Sequence, residues 1–316
     1  MDSNAQIGRR LKLQDLHLFF SVVQWGSMAK AAAHLGMSQP AVSEIIAKLE
    51  KTLEVRLFDR HRHGVTPTMY GRALLQRSEA AFDELRQGLR DIEGLADPSA
   101  GEVRIGCPES IAASILPAIV QRFAREHPLA VVHVTQVSTA TLEFPELRER
   151  KFDAVLARID APIGKNHFGD EFDVEKLFDD RVVLATGRSS KWAKLRKPRL
   201  ADLRDAQWVM TTPETINAEL VSSAFRAVGL DGPAVNVVTF SVHLRAHLMA
   251  SGDFITALPH SALRANADYF GLRVLPIDLP AKPWPVAIVT LRNRTLSPIV
   301  GRFIDCVRKS SGELAF

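Results

Sequence analysis

The chain has 316 residues, 46% of them hydrophobic and 24% charged, with a formal net charge of +4. This is ordinary globular composition with room for two domains, and it excludes a polycation, so any basicity must be local. No apolar run approaches a membrane span, and MDSNAQIGRR at the N-terminus has no hydrophobic core for export, so no membrane partner is expected. Cys107 and Cys306 are the only cysteines. Two so distant thiols form neither a disulfide framework nor a zinc site, and a reducing cytoplasm is the expected location.

Residues 27–46, SMAKAAAHLGMSQPAVSEII, read as two short helices joined by a tight turn. Ser27 is an N-cap residue, followed from Met28 to Leu35 by strong helix formers. Gly36 stands where a left-handed C-cap residue belongs. Ser38 caps the next helix, with Pro40 in its first turn, where a missing N–H costs nothing. Ala31, Ala32 and Ala41 let the helices cross closely; Leu35, Val42 and Ile46 face a core; Gln39, Ser43 and Lys48 face outward. A helix-turn-helix sets the first residues of its second helix against base edges in the major groove of double-stranded DNA. The Gln39 amide can donate and accept together on adenine, and Ser43 meets a base or phosphate one turn later. The alternative is an ordinary capped helical hairpin.

Ile45, Leu49, Leu53 and Leu57 continue the stripe, and RLFDRHRHGVTPT follows at 56–68. Strand-like Leu57 and Phe58, a basic loop of Arg60, His61, Arg62 and His63, a turn at Gly64 and Val65 leading out describe a β-wing. Over residues 1–70 there are 9 Lys plus Arg and 6 Asp plus Glu, a net +3 for this segment. Cations of this kind contact phosphates and supply salt-dependent, sequence-independent affinity.

At this point the chain resembles the LysR-type transcriptional regulators. The matching residues are Leu13, Leu16, Phe19 and Val22, then Gly26-Ser27, Ala31-Ala32, Leu35, Ser38 to Ser43, Leu49-Glu50, Leu57-Phe58, Arg60, Thr68 and Gly71. The resemblance implies an α+β multidomain chain: a winged helix-turn-helix, a long linker helix and a two-lobed α/β domain like a periplasmic binding protein. It implies that Gln39, Pro40 and Ser43 lie in or beside the major groove, with Arg60–His63 at the adjacent backbone or minor groove; Ser27, Ser38, Glu44, Lys48 and Thr68 are expected on the same DNA-binding surface. Glu44 departs from the family, which often carries Gln or a basic residue there. Either it helps select the operator by accepting from a cytosine amine, or it points along the rim toward Lys48.

Thr68 can cap a third helix running to about Leu95. Leu75, Phe82 and Leu89 fall at one heptad site, and Leu85 and Ile92 at the other, with Ser78 as a polar interruption. Glu79, Asp83 and Gln87 are among the polar residues expected around this seam. It is read as a dimer helix; the alternative is a helix packed on its own domain. A dimer presents two recognition helices, so an inverted-repeat operator is expected. ADPSAG at 96–101 has hinge composition.

From Glu102 strands and helices alternate: strands at 103–106, 131–137 and 153–158, and helices at 110–126 and 139–150. Strands at 181–187, 208–212, 235–240 and 255–259 follow, with helices at 216–228 and 241–251, then a strand at 286–291 and a helix at 296–309. The reading is α/β with a mostly parallel sheet. The domains are 1–67, 68–95 and 96–316, with lobe I at about 102–160 and 270–316 and lobe II at about 161–269. Ligands in open α/β sheets sit at the carboxyl ends of strands. That rule selects Pro108, Glu109, Ser110, Ser138, Thr139, Thr211, Thr212 and Ser241, many of which also serve as caps or strand ends. Helix N-termini there suit a carboxylate effector. Glu109 is awkward for an anion, and Arg158 either supplies the opposite charge or forms an interlobe salt bridge. Cys107, near the cleft, is either core or redox-active.

Enzymatic motifs are missing from the sequence: there is no Gly-rich phosphate loop, nucleophile elbow, HExxH or CxxC, and the ten histidines are scattered. No catalytic residue, metal or cofactor is expected. A transport-type binding protein and a ligand-free chromosome organiser are the remaining rivals. The expected mechanism is population shift: an effector between the lobes favours one arrangement of a homodimer or homotetramer, altering promoter bending and recruitment of RNA polymerase.

Overall fold

The computed structural model describes residues 11–62, 64–96, 100–139, 143–159, 168, 170–280 and 283–314. The chain divides into two compact units, Met1–Arg86 and Gln87–Phe316.

The first unit opens with three helices, α1 (Leu13–Trp25), α2 (Met28–Leu35) and α3 (Gln39–Leu53). Gly26 and Gly36 end the first two in the left-handed region, with φ of 59° and 65°. Ser27 and Ser38 cap the next two, their hydroxyls accepting from Lys30 N and Ala41 N. Phe19, Val22, Ala31, Val42 and Ile46 are fully buried where the helices meet, each large one contributing about 1.5–3 kcal/mol. A hairpin of β1 (Phe58–His61) and β2 (Gly64–Pro67) follows, with His61 paired to Gly64. The Glu50 carboxylate accepts from Leu57 N and Phe58 N at 2.7 and 3.2 Å, which anchors the hairpin on α3. Gly64 (φ +143°) has no room for a side chain, because a Cβ there would lie 2.2 Å from the Gly26 carbonyl oxygen. That close approach lets Val65 N donate to Gly26 O.

A 28-residue helix, α4 (Met69–Ala96), comes next. Leu75 and Phe82, expected on the dimer seam, are half-buried within the first unit: Leu75 packs against its core, and the Phe82 ring lies 6.1 Å from His17. Leu85, Leu89 and Ile92 are exposed, at 49%, 62% and 65%. Asp83 and Gln87, expected at the solvated surface, are buried. The heptad reading thus divides, its N-terminal part serving the chain's own packing and its C-terminal part standing open.

The second unit holds two five-stranded sheets. Its elements begin with β3 (Ala100–Cys107), α5 (Glu109–Ala112), α6 (Leu116–Glu126), β4 (Leu129–Gln136), α7 (Pro145–Arg148), β5 (Ala154–Arg158) and β6 (Phe172–Asp180). They continue with β7 (Val182–Gly187), β8 (Gln207–Met210), α8 (Ile216–Ala227), β9 (Val235–Val238), α9 (Val242–Ser251) and β10 (Phe254–Pro259). Last come α10 (His260–Phe270), β11 (Leu272–Val274), β12 (Trp284–Leu291) and α11 (Pro298–Leu314). The strand orders are β4-β3-β5-β12-β6 and β11-β7-β10-β8-β9. In the first sheet α6 and α11 cover one face, where Phe123 and Phe303 pack edge-on at 5.1 Å. In the second, Trp208 and Phe225 do the same at 5.8 Å.

Four sequence expectations need correction. The sheets are mixed rather than mostly parallel: β3 pairs in parallel with β4 and β5, but β12 pairs antiparallel with β5 and β6. Strand β6 was not expected, and it belongs to the first sheet, while β11 belongs to the second. The chain therefore crosses between lobes at Asp180–Arg181 and again after Val274, not near 160 and 270. The single helix expected at 110–126 is two, because Pro117 lacks an N–H and its ring would clash with the carbonyl of Ala113 in a continuous helix. The helix expected at 139–150 is the single turn α7; residues 140–142 lie outside the described residues.

Candidate nucleic-acid interface and effector cleft

In the first unit, Ser38, Gln39, Pro40, Glu44 and Lys48 are all exposed along α3, and Ser43 is half-buried beside them. The hydrophobic spacing turns Val42, Ile46 and Leu49 inward, which leaves Gln39 and Ser43 on one outward face, one turn apart. Glu44 and Lys48 are four residues apart, but the described residues include no ion pair between them, so the Glu44 carboxylate faces solvent. Ser27 has its hydroxyl engaged in the α2 cap. Thr68 is engaged twice: it donates to Arg56 O at 2.7 Å and accepts from Gly71 N at 3.1 Å, capping α4. Arg60 and His61 stand on β1 rather than in the loop, and Arg62 occupies the turn, all three exposed. The His61 ring hydrogen-bonds the Thr66 hydroxyl at 2.7 Å. His63 lies outside the described residues.

In the second unit a cavity of about 400 Å³ lies between the two lobes, at the carboxyl ends of β3, β4, β8 and β9. Pro108, Glu109, Ser110, Ser138, Thr139, Arg158 and Thr211 line it, as expected from the strand ends. Thr212 and Ser241 do not. The Thr212 carbonyl instead receives the Thr215 hydroxyl, and the Ser241 hydroxyl turns back to cap α9 through Leu244 N.

The ion pair of Arg158, with Asp180, lies within the first lobe rather than between the lobes, and the guanidinium reaches the second lobe only through Ser261. The guanidinium donates to Asp180 at 3.2 Å, to Ser261 Oγ at 3.0 Å and to Ser110 Oγ at 2.7 Å, and both charges are buried. Burial pushes the Arg158 guanidinium down from its usual range while Asp180 holds it up. Asp180 also accepts from Ser261 N at the start of α10. Glu109 does the same for α9, accepting from Val242 N at 2.9 Å. Thus two carboxylates of the first lobe cap two helices of the second, and each is favoured by the helix dipole.

Residues 13–72 match the family "Bacterial regulatory helix-turn-helix protein, lysR family", and residues 96–312 match "LysR substrate binding domain". The chain belongs to the LysR family. It is 30% identical over 250 residues to HTH-type transcriptional regulator TdcA of Escherichia coli (strain K12), covering 78% of this chain and 77% of that one. It is 25% identical over 310 residues to HTH-type transcriptional regulator GbpR of Azospirillum brasilense, covering 98% and 89%. The fold matches full-length CbnR, a LysR regulator solved with its target DNA, at a TM-score of 0.63 and 21% identity, covering 95% and 100%. This LysR chain is therefore a DNA-binding transcriptional regulator with an effector-binding domain, not an enzyme.

Within that LysR domain, the residues missed from sequence are Ile216, Asn217, Arg245, Pro259 and Trp284, all on the cavity wall. Arg245 is 2% exposed, although VHLRAHLMAS reads as a helix with its cation in solvent. Cys107 is fully buried, and desolvation pushes its thiol up to about 11. A thiol so protonated is a core residue and a poor redox sensor. No described helix is long and apolar enough to cross a membrane.

Proposed function

We propose that this regulator reads an inverted-repeat operator through Gln39 and Ser43, holds the flanking backbone with the Arg60–Arg62 wing, and responds to a small carboxylate bound between its lobes. The observation that carries the reading is the outward face of α3, where Gln39 and its neighbours stand exposed above a fully buried core. The open stripe of Leu85, Leu89 and Ile92 supports a homodimer formed along α4, and the family resemblance supports its further pairing into a homotetramer. The effector acts by its differential affinity for two lobe arrangements, in a cytoplasmic regulator that contacts RNA polymerase at the promoter.

Salt dependence tests the wing. Arg62→Ala is expected to weaken duplex binding across all sequences and to lower the slope of log K against log salt by about 0.9 for each phosphate that the variant no longer neutralises. An unchanged slope removes Arg62 from the interface.

A further inference from the structure

We infer that the effector of this cleft is a zwitterion, an α-amino acid with an apolar side chain, whose carboxylate pairs with Arg245 and whose ammonium pairs with Glu109. The inference deepens the reading of the cleft as an effector site and rests on it.

The charges of the wall do not balance. The charge of Arg158 is neutralised by Asp180, although its Nε has no hydrogen-bond partner. Arg245 is as deeply buried, yet its nearest acceptors are the carbonyls of Ala257 and Phe240 at 3.3 and 3.5 Å. Its Nε has no hydrogen-bond partner, and among the described residues no carboxylate forms an ion pair with it. A buried charge left in this state is unfavourable until an anion reaches it. Burial drives the guanidinium down to about 10, and Glu109, the nearby negative group, works against that shift.

A plain carboxylate ligand does not answer the whole wall. Glu109 and Glu214 both line it, and a simple anion at Arg245 would lie near them. A plain amine would suit those carboxylates but leave Arg245 unpaired. A molecule carrying both charges satisfies both ends. Three further buried atoms on the wall have no hydrogen-bond partner: Trp284 Nε1 and Arg158 Nε are donors and Asn217 Oδ1 is an acceptor.

The spacing fits charges borne close together. Glu109 is held on Val242 N at the first turn of α9, and Arg245 follows three residues later, about 4.5 Å along the helix axis. Between and around them Val137, Ile216, Phe240 and the two prolines 108 and 259 offer apolar surface for a side chain. Glu109, which is awkward for an anionic effector, thereby acquires a role: its Oε2 holds the helix and its carboxylate receives the ammonium.

The test is isothermal titration of the full-length protein with L-leucine and L-phenylalanine. Each is compared with its deaminated acid (4-methylpentanoate, 3-phenylpropanoate) and its decarboxylated amine (3-methylbutylamine, 2-phenylethylamine). At least one amino acid is expected to bind ten times more tightly than either of its analogues. Glu109→Gln should remove that advantage by weakening the amino acid tenfold while leaving or improving the acid, and Arg245→Gln should weaken both. An acid that binds the unaltered chain as tightly as its amino acid overturns the zwitterion while leaving the cleft as effector site. Failure of both amino acids to bind overturns it too. Ligand binding untouched by either substitution moves the effector out of this cleft altogether. The comparison of analogues uses the unaltered chain, so it stands even if Arg245→Gln fails to fold.

Discussion

Asp180→Ala is expected to cost the C-terminal unit about 3–5 kcal/mol, the penalty for leaving a buried charge without its partner. Asp180 is 2% exposed and receives four hydrogen bonds, from Arg158, from the hydroxyl and the N–H of Ser261, and from Arg181 N. The alanine variant strands the Arg158 guanidinium, itself 6% exposed, and uncaps α10 at the same time. Because Asp180 is the last residue of β6 and Ser261 belongs to α10, the damage falls on the junction of the two lobes. For a unit of this size the cost corresponds to a fall of roughly 6–20 °C in the calorimetric transition of the C-terminal unit. A shift within about 2 °C would mean that Arg158 reaches water and that the contacts of Asp180 and Arg158 with Ser261 do not tie the lobes together. Arg158 and Asp180 changed together to a matched apolar pair should recover part of the loss, since removing a buried ion pair whole costs less than breaking it.

Phe19→Ala carries the second large effect, on the other unit. Phe19 has no exposed surface and packs on Phe58 with ring centroids 5.2 Å apart, joining the first helix to the wing. Truncating such a ring costs about 3–5 kcal/mol, which is a large share of the roughly 5–15 kcal/mol that typically holds a domain together. Specific DNA binding at physiological temperature should be lost or strongly weakened while the C-terminal transition stays in place and still responds to ligand. Binding of unchanged strength, with both transitions where they were, would show that the helical core does not hold the wing.

The helix-turn-helix was legible in sequence because three independent signals coincide there. The caps at Ser27 and Ser38, the left-handed glycine at 36 and the apolar spacing of Leu35, Val42 and Ile46 all specify the same turn. The cleft loops were legible for a weaker reason: strand ends bind ligands as a rule of the fold, and the rule selected Thr212 and Ser241 along with the true wall. Strand β6 was not legible. FDVEKLFDD carries five acidic or basic side chains in nine residues and buries only Phe172, Phe178 and Asp180, since it lies at a sheet edge beside a register shift in β12. Arg245 was missed because burial of a cation is decided by what the rest of the chain packs over it, and no local spacing carries that information. The dimer seam read from heptads included Leu75 and Phe82, which the chain uses internally; periodicity marks a face as apolar without saying what covers it.

The most direct measurement is selection of bound duplexes from a random pool by the full-length protein and by Gln39→Ala, followed by affinities on the selected sites. The unaltered chain should recover a two-fold symmetric motif. The variant should lose discrimination at one position in each half-site, at about 1–3 kcal/mol per position, with the rest of the motif intact. A pool without a motif, or a variant that weakens every sequence equally, would contradict the assignment of α3 as the element that reads base edges.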